Sequence, residues 1–246
     1  MLCHTRVLRR TFSKVHADIV RNMDLENTSG LPRRKLIVES AVNAFKDPDN
    51  GQHLSHLGDL TSYYSLIRIR DRMLKSPTGR SILKDQPRLT GQLDLESLKK
   101  KQGTLGAHYA QFMLSNTFRP EDRPLVKYVP DYELAYIMQR YREVHDFVHV
   151  IIGCPTPSIL HELYVKWFEL IQLELPSAGL AVSFGSLLAR EKVFEYWRTV
   201  GKVVDIANKA EFFLNIPLEQ HLGDDLQEFR KRYHIGTVGH DATITN

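Results

Sequence analysis

Apolar residues recur along this chain at three- and four-residue intervals, the period of helices packed on one face. In "RRKLIVESAVNAF" (33–45), Leu36, Ile37, Val38, Ala41, Val42 and Phe45 fall at that spacing, and "DPDNG" ends the segment. Over 54–77, Leu57, Leu60, Tyr64, Ile67 and Met73 repeat with charges opposite, which predicts one long helix. Pro77, Gly79 and Pro87 break the stretch that follows. Short helices are expected over 93–101 and 103–116, the second closed by "FRPEDRP". The span 131–152 opens on Asp131 as an N-cap and closes at Gly153. A further helix is predicted from near Pro157 to Glu174, and others over 178–204, 206–214 and 217–232. Strand-type alternation is nearly absent and no internal repeat occurs. The pattern predicts an all-α, single-domain, multi-helix bundle.

Composition refines this picture at the ends. The 246 residues are 42% hydrophobic and 25% charged, ordinary values for a chain able to bury a sizeable core. Two cysteines, Cys3 and Cys154, are too few for a disulfide framework and point to a reducing compartment. The net charge of +4 arises in "MLCHTRVLRRTFSKVH", which carries Arg6, Arg9, Arg10 and Lys14 and no acid. Setting these four aside, the 33 basic residues fall to 29, equal to the 29 acidic ones. The body therefore has no positive field to attract nucleic acid, and no nucleic-acid partner is expected. The Arg-rich, acid-free, mildly amphipathic head reads as a mitochondrial transit peptide. Residues 1–30 are accordingly assigned to leader and linker, 31–235 to the helical domain, and 236–246 to a polar, mobile tail. No stretch reaches the ~18 apolar residues that span a bilayer. The longest uncharged run, residues 175–189, is interrupted by Pro176, Gly179 and Gly185. It reads either as a buried helix of small residues or as an apolar wall facing a lipid-like ligand.

The candidate chemistry lies in "HDFVHVIIGCPTPSILHE" (145–162). His145 and His149, four apart, share a helix face, and Asp146 sits at its edge. The tight "GCPTP" connector makes the next helix antiparallel and returns Glu162 towards the histidines. A first-row metal accepts imidazole nitrogen and carboxylate oxygen at about 2 Å. The reading is thus a His145, Asp146, His149, Glu162 metal site between two adjacent helices. The apolar "VII" beside it requires partners for any buried polar group. Ordinary roles compete: Asp146 with Arg142 as an i, i+4 pair, Glu162 in the first turn of a helix, and His161 in place of Glu162. The zinc-peptidase pattern His-Glu-x-x-His is absent, because Asp146 stands after the first histidine.

"LAYIMQRYREVHDFVH", followed by "GCPT" and "VKWFE", resembles the coenzyme Q (ubiquinone) biosynthesis protein 4 family. The resemblance extends from about residue 50 through "LGDLTSYY", "TGRSIL" and "GTLGAHYAQFM" to "YHIG". The family motif is His-Asp-x-x-His, a spacer and Glu; the twelve residues between His149 and Glu162 are one more than the family spacing. The resemblance implies a helical protein on the matrix side of the mitochondrial inner membrane, peripheral and homodimeric, within a complex of coenzyme Q biosynthesis proteins. It implies a zinc ion on His145, Asp146, His149 and Glu162, and a polyprenylated benzoate or quinone lipid as substrate. The implied reaction is metal-dependent C1 decarboxylation of a polyprenylated 4-hydroxybenzoate-type ring, with a hydroxyl placed at that carbon. Its rival is a non-catalytic lipid-binding scaffold for the complex. Because zinc has no redox chemistry, and two histidines plus a carboxylate also suit non-haem iron, iron stays open as the working metal. Asp146 or Glu162 would move protons, and Arg140 or Arg142 would meet a substrate carboxylate or form an ordinary ion pair.

Overall fold

A computed structural model of the protein describes residues 15–47, 51–89, 93–156, 158–185 and 193–239. Among them are twelve α-helices and no strand. They are α1 (Ala17–Asn22), α2 (Gly30–Lys46), α3 (Gly51–Thr61), α4 (Tyr63–Lys75), α5 (Pro77–Asp85), α6 (Leu95–Lys99), α7 (Leu105–Ser115), α8 (Tyr132–Ile151), α9 (Ile159–Leu173), α10 (Pro176–Gly185), α11 (Val193–Lys209) and α12 (Leu226–Arg232). The described residues group into two compact units. The first runs to Arg88 and adds Arg123–Arg142 and Leu175–Ser177; the second takes Leu89–Asp122, Glu143–Glu174 and the residues from Ala178 onward.

Several boundaries differ from the periodicity. The helix expected over 54–77 is two, because Ser62 leaves helical geometry (φ −93°, ψ 2°) while the apolar face continues on either side. Pro77 starts α5 instead of breaking it: it occupies the first turn, where a missing N–H costs nothing, behind the Ser76 cap on Gly79. The span 178–204 divides into α10 and α11, with 186–192 outside the described residues. Residues 206–209 complete α11, and the segment expected over 206–214 ends in a 3-10 turn, Phe213–Asn215. Of 217–232, only Leu226–Arg232 is α-helical. The basic head, residues 1–14, and the tail from 240 lie outside the described residues. Residues 16–22, expected within the leader, are built into the first unit. Ile19 is fully buried, the His16 backbone N–H donates to the Tyr132 hydroxyl at 2.8 Å, and the His16 ring meets the Gln86 carbonyl at 2.7 Å.

Within the first unit, Arg142 is committed to Asp59. Its guanidinium donates to Asp59 Oδ1 at 2.8 Å and to the carbonyls of Ser55 and Pro124, while Asp59 Oδ2 accepts from the backbone N–H of Lys127. The pairing of Arg142 with Asp146, and its use on a substrate carboxylate, give way to this buried pair. Burial pushes the Asp59 carboxyl up, and Arg142 and the backbone donors pull it back. Arg140, 1% exposed, is likewise enclosed.

In the second unit, Tyr109 of α7 stacks on Phe147 of α8 with ring centroids 3.8 Å apart. Arg230 of α12 reaches the last carbonyls of α8, donating to Ile151 O at 2.9 Å and Val150 O at 3.0 Å, where a helix leaves acceptors unsatisfied. Gln172 of α9 ties Ala207 O and Phe213 N. Gly185 lets α10 lie against Leu163 of α9, where a Cβ would collide with the leucine side chain, and Ala178 and Val182 are buried. Through residue 185 the uncharged run is a helix with one face packed on α9 and Leu180 40% exposed on the other.

Removing Asp59 leaves a desolvated guanidinium without its counter-charge. Asp59→Ala is expected to lower stability by about 3–5 kcal/mol, read by urea unfolding; a loss below about 1 kcal/mol would show that Arg142 reaches water in the folded state.

Candidate metal centre

The site is built by α8, the turn after it and α9, all in the second unit from Glu143 onward. Asp131 caps the start of α8, accepting from Leu134 N at 3.0 Å. Its end is set by Gly153, whose φ of +76° reverses the chain and lets Cys154 N donate to His149 O at 2.8 Å. Ser158 then caps α9. The reversal lays α9 beside the last turns of α8, and Glu162 arrives in its first turn.

There the two histidines and the glutamate meet. His149 Nε2 lies 3.1 Å from Glu162 Oε2, and His145 Nε2 lies 3.5 Å from Glu162 Oε1. One ligand atom from each of the three falls within 4.8 Å of the others. Each imidazole is held from behind. His145 Nδ1 donates to Glu169 Oε1 at 2.6 Å, and His149 Nδ1 donates to the Cys154 carbonyl at 3.0 Å. With Nδ1 so engaged, both rings turn Nε2 towards the Glu162 carboxylate, the arrangement that fixes the ring orientation of a metal-ligating histidine. Phe112 packs on the His149 ring, centroids 5.1 Å apart. Both histidines are buried, whereas the Glu162 side chain is 42% exposed, so the cluster opens to solvent on the carboxylate side.

The donor set fits a cation such as zinc. Neighbouring ligand atoms of a tetrahedral zinc site stand about 3.3–3.5 Å apart, the scale of the distances here. Asp146 is 2% exposed on the same turn, but its carboxylate is not in this three-residue group. His161 turns away, its Nδ1 2.7 Å from Thr156 Oγ1, and it is Glu162 that faces the two histidines.

The histidine spacing gives no role to Glu169 or Lys166. They follow Glu162 at i+7 and i+4, one face of α9, and that period is the only signal the sequence offers for them. Lys166 Nζ bonds Glu169 Oε2 at 2.9 Å and lies 3.4 Å from Glu162 Oε1. The charges reinforce one another. For His145, burial and the Lys166 charge oppose protonation, yet the Glu169 and Glu162 carboxylates outweigh them and raise it to about 9. Burial pushes Glu169 up, but Lys166 and His145 pull it down to about 2. Glu162 is also drawn well below the ordinary carboxylate range: the partial desolvation of its carboxylate against the buried imidazoles is overcome by His145 and Lys166. Burial and the Glu162 charge push the Cys154 thiol up to about 12, leaving it inert while its carbonyl orients His149.

By class, then, this is an all-α protein with a two-helix histidine–carboxylate cluster able to hold a metal ion. The family follows from comparison. The profile of the coenzyme Q (ubiquinone) biosynthesis protein Coq4 family matches residues 25–238, and the chain belongs to that family. It is 44% identical over 190 residues to a Paramecium tetraurelia ubiquinone biosynthesis protein COQ4 homolog 2, mitochondrial, covering 76% of this chain and 90% of the relative. It is 38% identical over 211 residues to the Xenopus laevis COQ4 homolog, mitochondrial, covering 85% and 74%. The fold matches a crystal structure of a Nostoc punctiforme protein named for ubiquinone biosynthesis, with TM-score 0.65 and 18% identity over 81% of this chain and 97% of that one.

The coupled charges give the metal-free protein a defined pH response. Since the His145 pKa is raised on folding, its contribution is complete below the ordinary 6.5 and is lost as pH climbs through about 9. Glu169, depressed on folding, contributes above 4.5 and loses that contribution as pH falls towards about 2. Urea unfolding of metal-stripped protein is expected to show stability falling from pH 6.5 to 9, and His145→Gln to flatten that slope. An unchanged slope in the variant would place its origin elsewhere.

Proposed function

We propose that this chain acts in ubiquinone biosynthesis as a metal-dependent decarboxylase that removes the C1 carboxyl from a polyprenylated 4-hydroxybenzoate-type ring. The observation that carries the metal half of this reading is the paired restraint of His145 and His149, both Nε2 atoms aimed at Glu162 on the solvent-facing side. Three protein ligands leave a tetrahedral ion one open position, the pattern of a catalytic site as opposed to a closed structural one. The pathway half rests on family membership and on relatives named for ubiquinone biosynthesis.

The chemistry suits such a site. When bound, a divalent cation supplies a Lewis acid for the substrate's carboxylate or ring oxygen. Loss of CO2 leaves an electron pair at C1, and the keto tautomer of the para phenol accepts it. His145, His149 and Glu162 would hold the ion and leave that position open, and Asp146, buried one residue along, would serve as the proton carrier. For the oxidative form, a 4-hydroxybenzoic acid and one dioxygen yield a quinone, CO2 and water, with atoms and electrons balanced and no other reductant. Zinc would leave electron transfer to the ring and oxygen; iron on the same two histidines and carboxylate would take part.

The proposed setting is the matrix face of the mitochondrial inner membrane, as a homodimer among other coenzyme Q biosynthesis proteins, after removal of a leader upstream of His16. Relatives are named mitochondrial, and no helix among the described residues is long and apolar enough to cross a membrane. Phe194 is 93% exposed and Trp197 51%, an apolar edge on α11 suited to a lipid surface.

Purified protein given a carboxylated prenylphenol, zinc or ferrous iron, and oxygen is expected to release CO2. His149→Ala should cut release by at least about a hundredfold with helix content unchanged. Equal release from both proteins would remove this cluster from the chemistry. Because a cation must displace the His145 proton, zinc affinity should rise about tenfold per pH unit towards pH 9, and chelator competition at several pH values reads it. Affinity independent of pH would mean the ion does not bind His145.

A further inference from the structure

From the geometry behind His145 we infer that Glu169 is a positioning residue: it fixes the orientation of His145 and thereby sets how tightly the cluster holds a cation. This rests on the proposed metal reading and extends it to a residue outside the ligand set. Glu169 is fully buried, and its two oxygens have different jobs. Oε1 accepts the Nδ1–H of His145 at 2.6 Å, and Oε2 accepts from Lys166 Nζ at 2.9 Å. The first bond leaves Nε2 as the only His145 nitrogen available to an ion. It also gives the imidazole a carboxylate partner, which raises its donor strength. The second bond anchors Glu169 to its own helix at i, i+3 and holds its carboxylate behind the His145 ring, outside the group of candidate ligands.

The two histidines are not equivalent in this respect. His149 has a neutral backbone carbonyl behind it, from Cys154, and a side-chain substitution does not remove that carbonyl. His145 relies on a side chain that a single codon change can alter. A purely structural role for Glu169, as an ion-pair partner of Lys166, would make its loss a matter of folding stability alone. A positioning role makes it a matter of cation affinity and of the His145 Nδ1 proton.

Zinc affinity of the full chain, measured by chelator competition, separates these. Glu169→Gln keeps an acceptor for Nδ1–H but loses the charge, and should weaken binding a few-fold; Glu169→Ala loses both and should weaken it about 10–100-fold. In the zinc-loaded protein, proton and nitrogen NMR of the imidazoles should show a strongly downfield His145 Nδ1–H that moves upfield in the Gln variant. The His149 Nδ1–H should stay in place and serves as the internal control. If Glu169→Ala fails to fold, the Gln variant alone decides. Unchanged affinity and an unmoved His145 proton in folded Gln variant would overturn the positioning role. Failure of the wild-type chain to bind zinc or ferrous iron, in contrast, would overturn the metal reading itself, and this role with it.

Discussion

Two hydrogen bonds on the far side of the imidazoles decide what this cluster is. With Nδ1 of His145 on Glu169 and Nδ1 of His149 on the Cys154 carbonyl, neither ring can rotate without losing a buried bond, and both Nε2 atoms converge on Glu162. A pair of histidines four apart on a helix is common and chemically neutral. The same pair held from behind is pre-organised for a third party between the rings and the carboxylate. The rest of the second unit serves to keep that geometry. Arg230 ties off the last carbonyls of α8, Tyr109 stacks on Phe147 between the two histidines, and the small residues of α10 allow close packing on α9.

The charges show why the arrangement is not the simplest way to pack a core. His145, Lys166 and Glu169 are all under a tenth exposed, and each would cost several kcal/mol to desolvate alone. Together they form a chain of alternating sign, from Glu162 to His145 to Glu169 to Lys166, in which every group is neutralised by its neighbours. Apolar residues of similar volume would pack the same two helices with a smaller desolvation penalty. The edge of His145 that a cation would take faces the Glu162 carboxylate, and its other edge is held by Glu169.

Much of this is legible in the residue pattern, for identifiable reasons. The helix from Asp131 to Gly153 is readable at both ends because a capping carboxylate and a left-handed glycine are local signals. The convergence of His145, His149 and Glu162 follows from helical period plus a tight connector. Boundaries fail where the apolar period runs on through a local break, as at Ser62, or where a proline begins a helix instead of ending one, as at Pro77. Sequence neighbourhood pairs Arg142 with Asp146, but its partner is Asp59, 83 residues away, and no i, i+4 rule can see that. Glu169 is visible in the text of the chain and silent in meaning, because its role depends on which way an imidazole faces.

The turn between the two helices raises the question of what sets the position of Glu162. A shift of one position on a continuous helix would rotate a side chain by about 100°, so the phase of α9 decides which residue of its first turn meets the histidines. Gly153 reverses the chain, Ser158 restarts helical hydrogen bonding, and His161 turns to Thr156. The phase of α9 is then set by its buried residues, Leu163, Val165 and Phe168 among them, and by the ion pair of Lys166 with Glu169. Those contacts lie downstream of the connector and do not depend on its path. Glu162 therefore keeps its place because the apolar face of its own helix dictates where its first turn points, and the connector has only to reach.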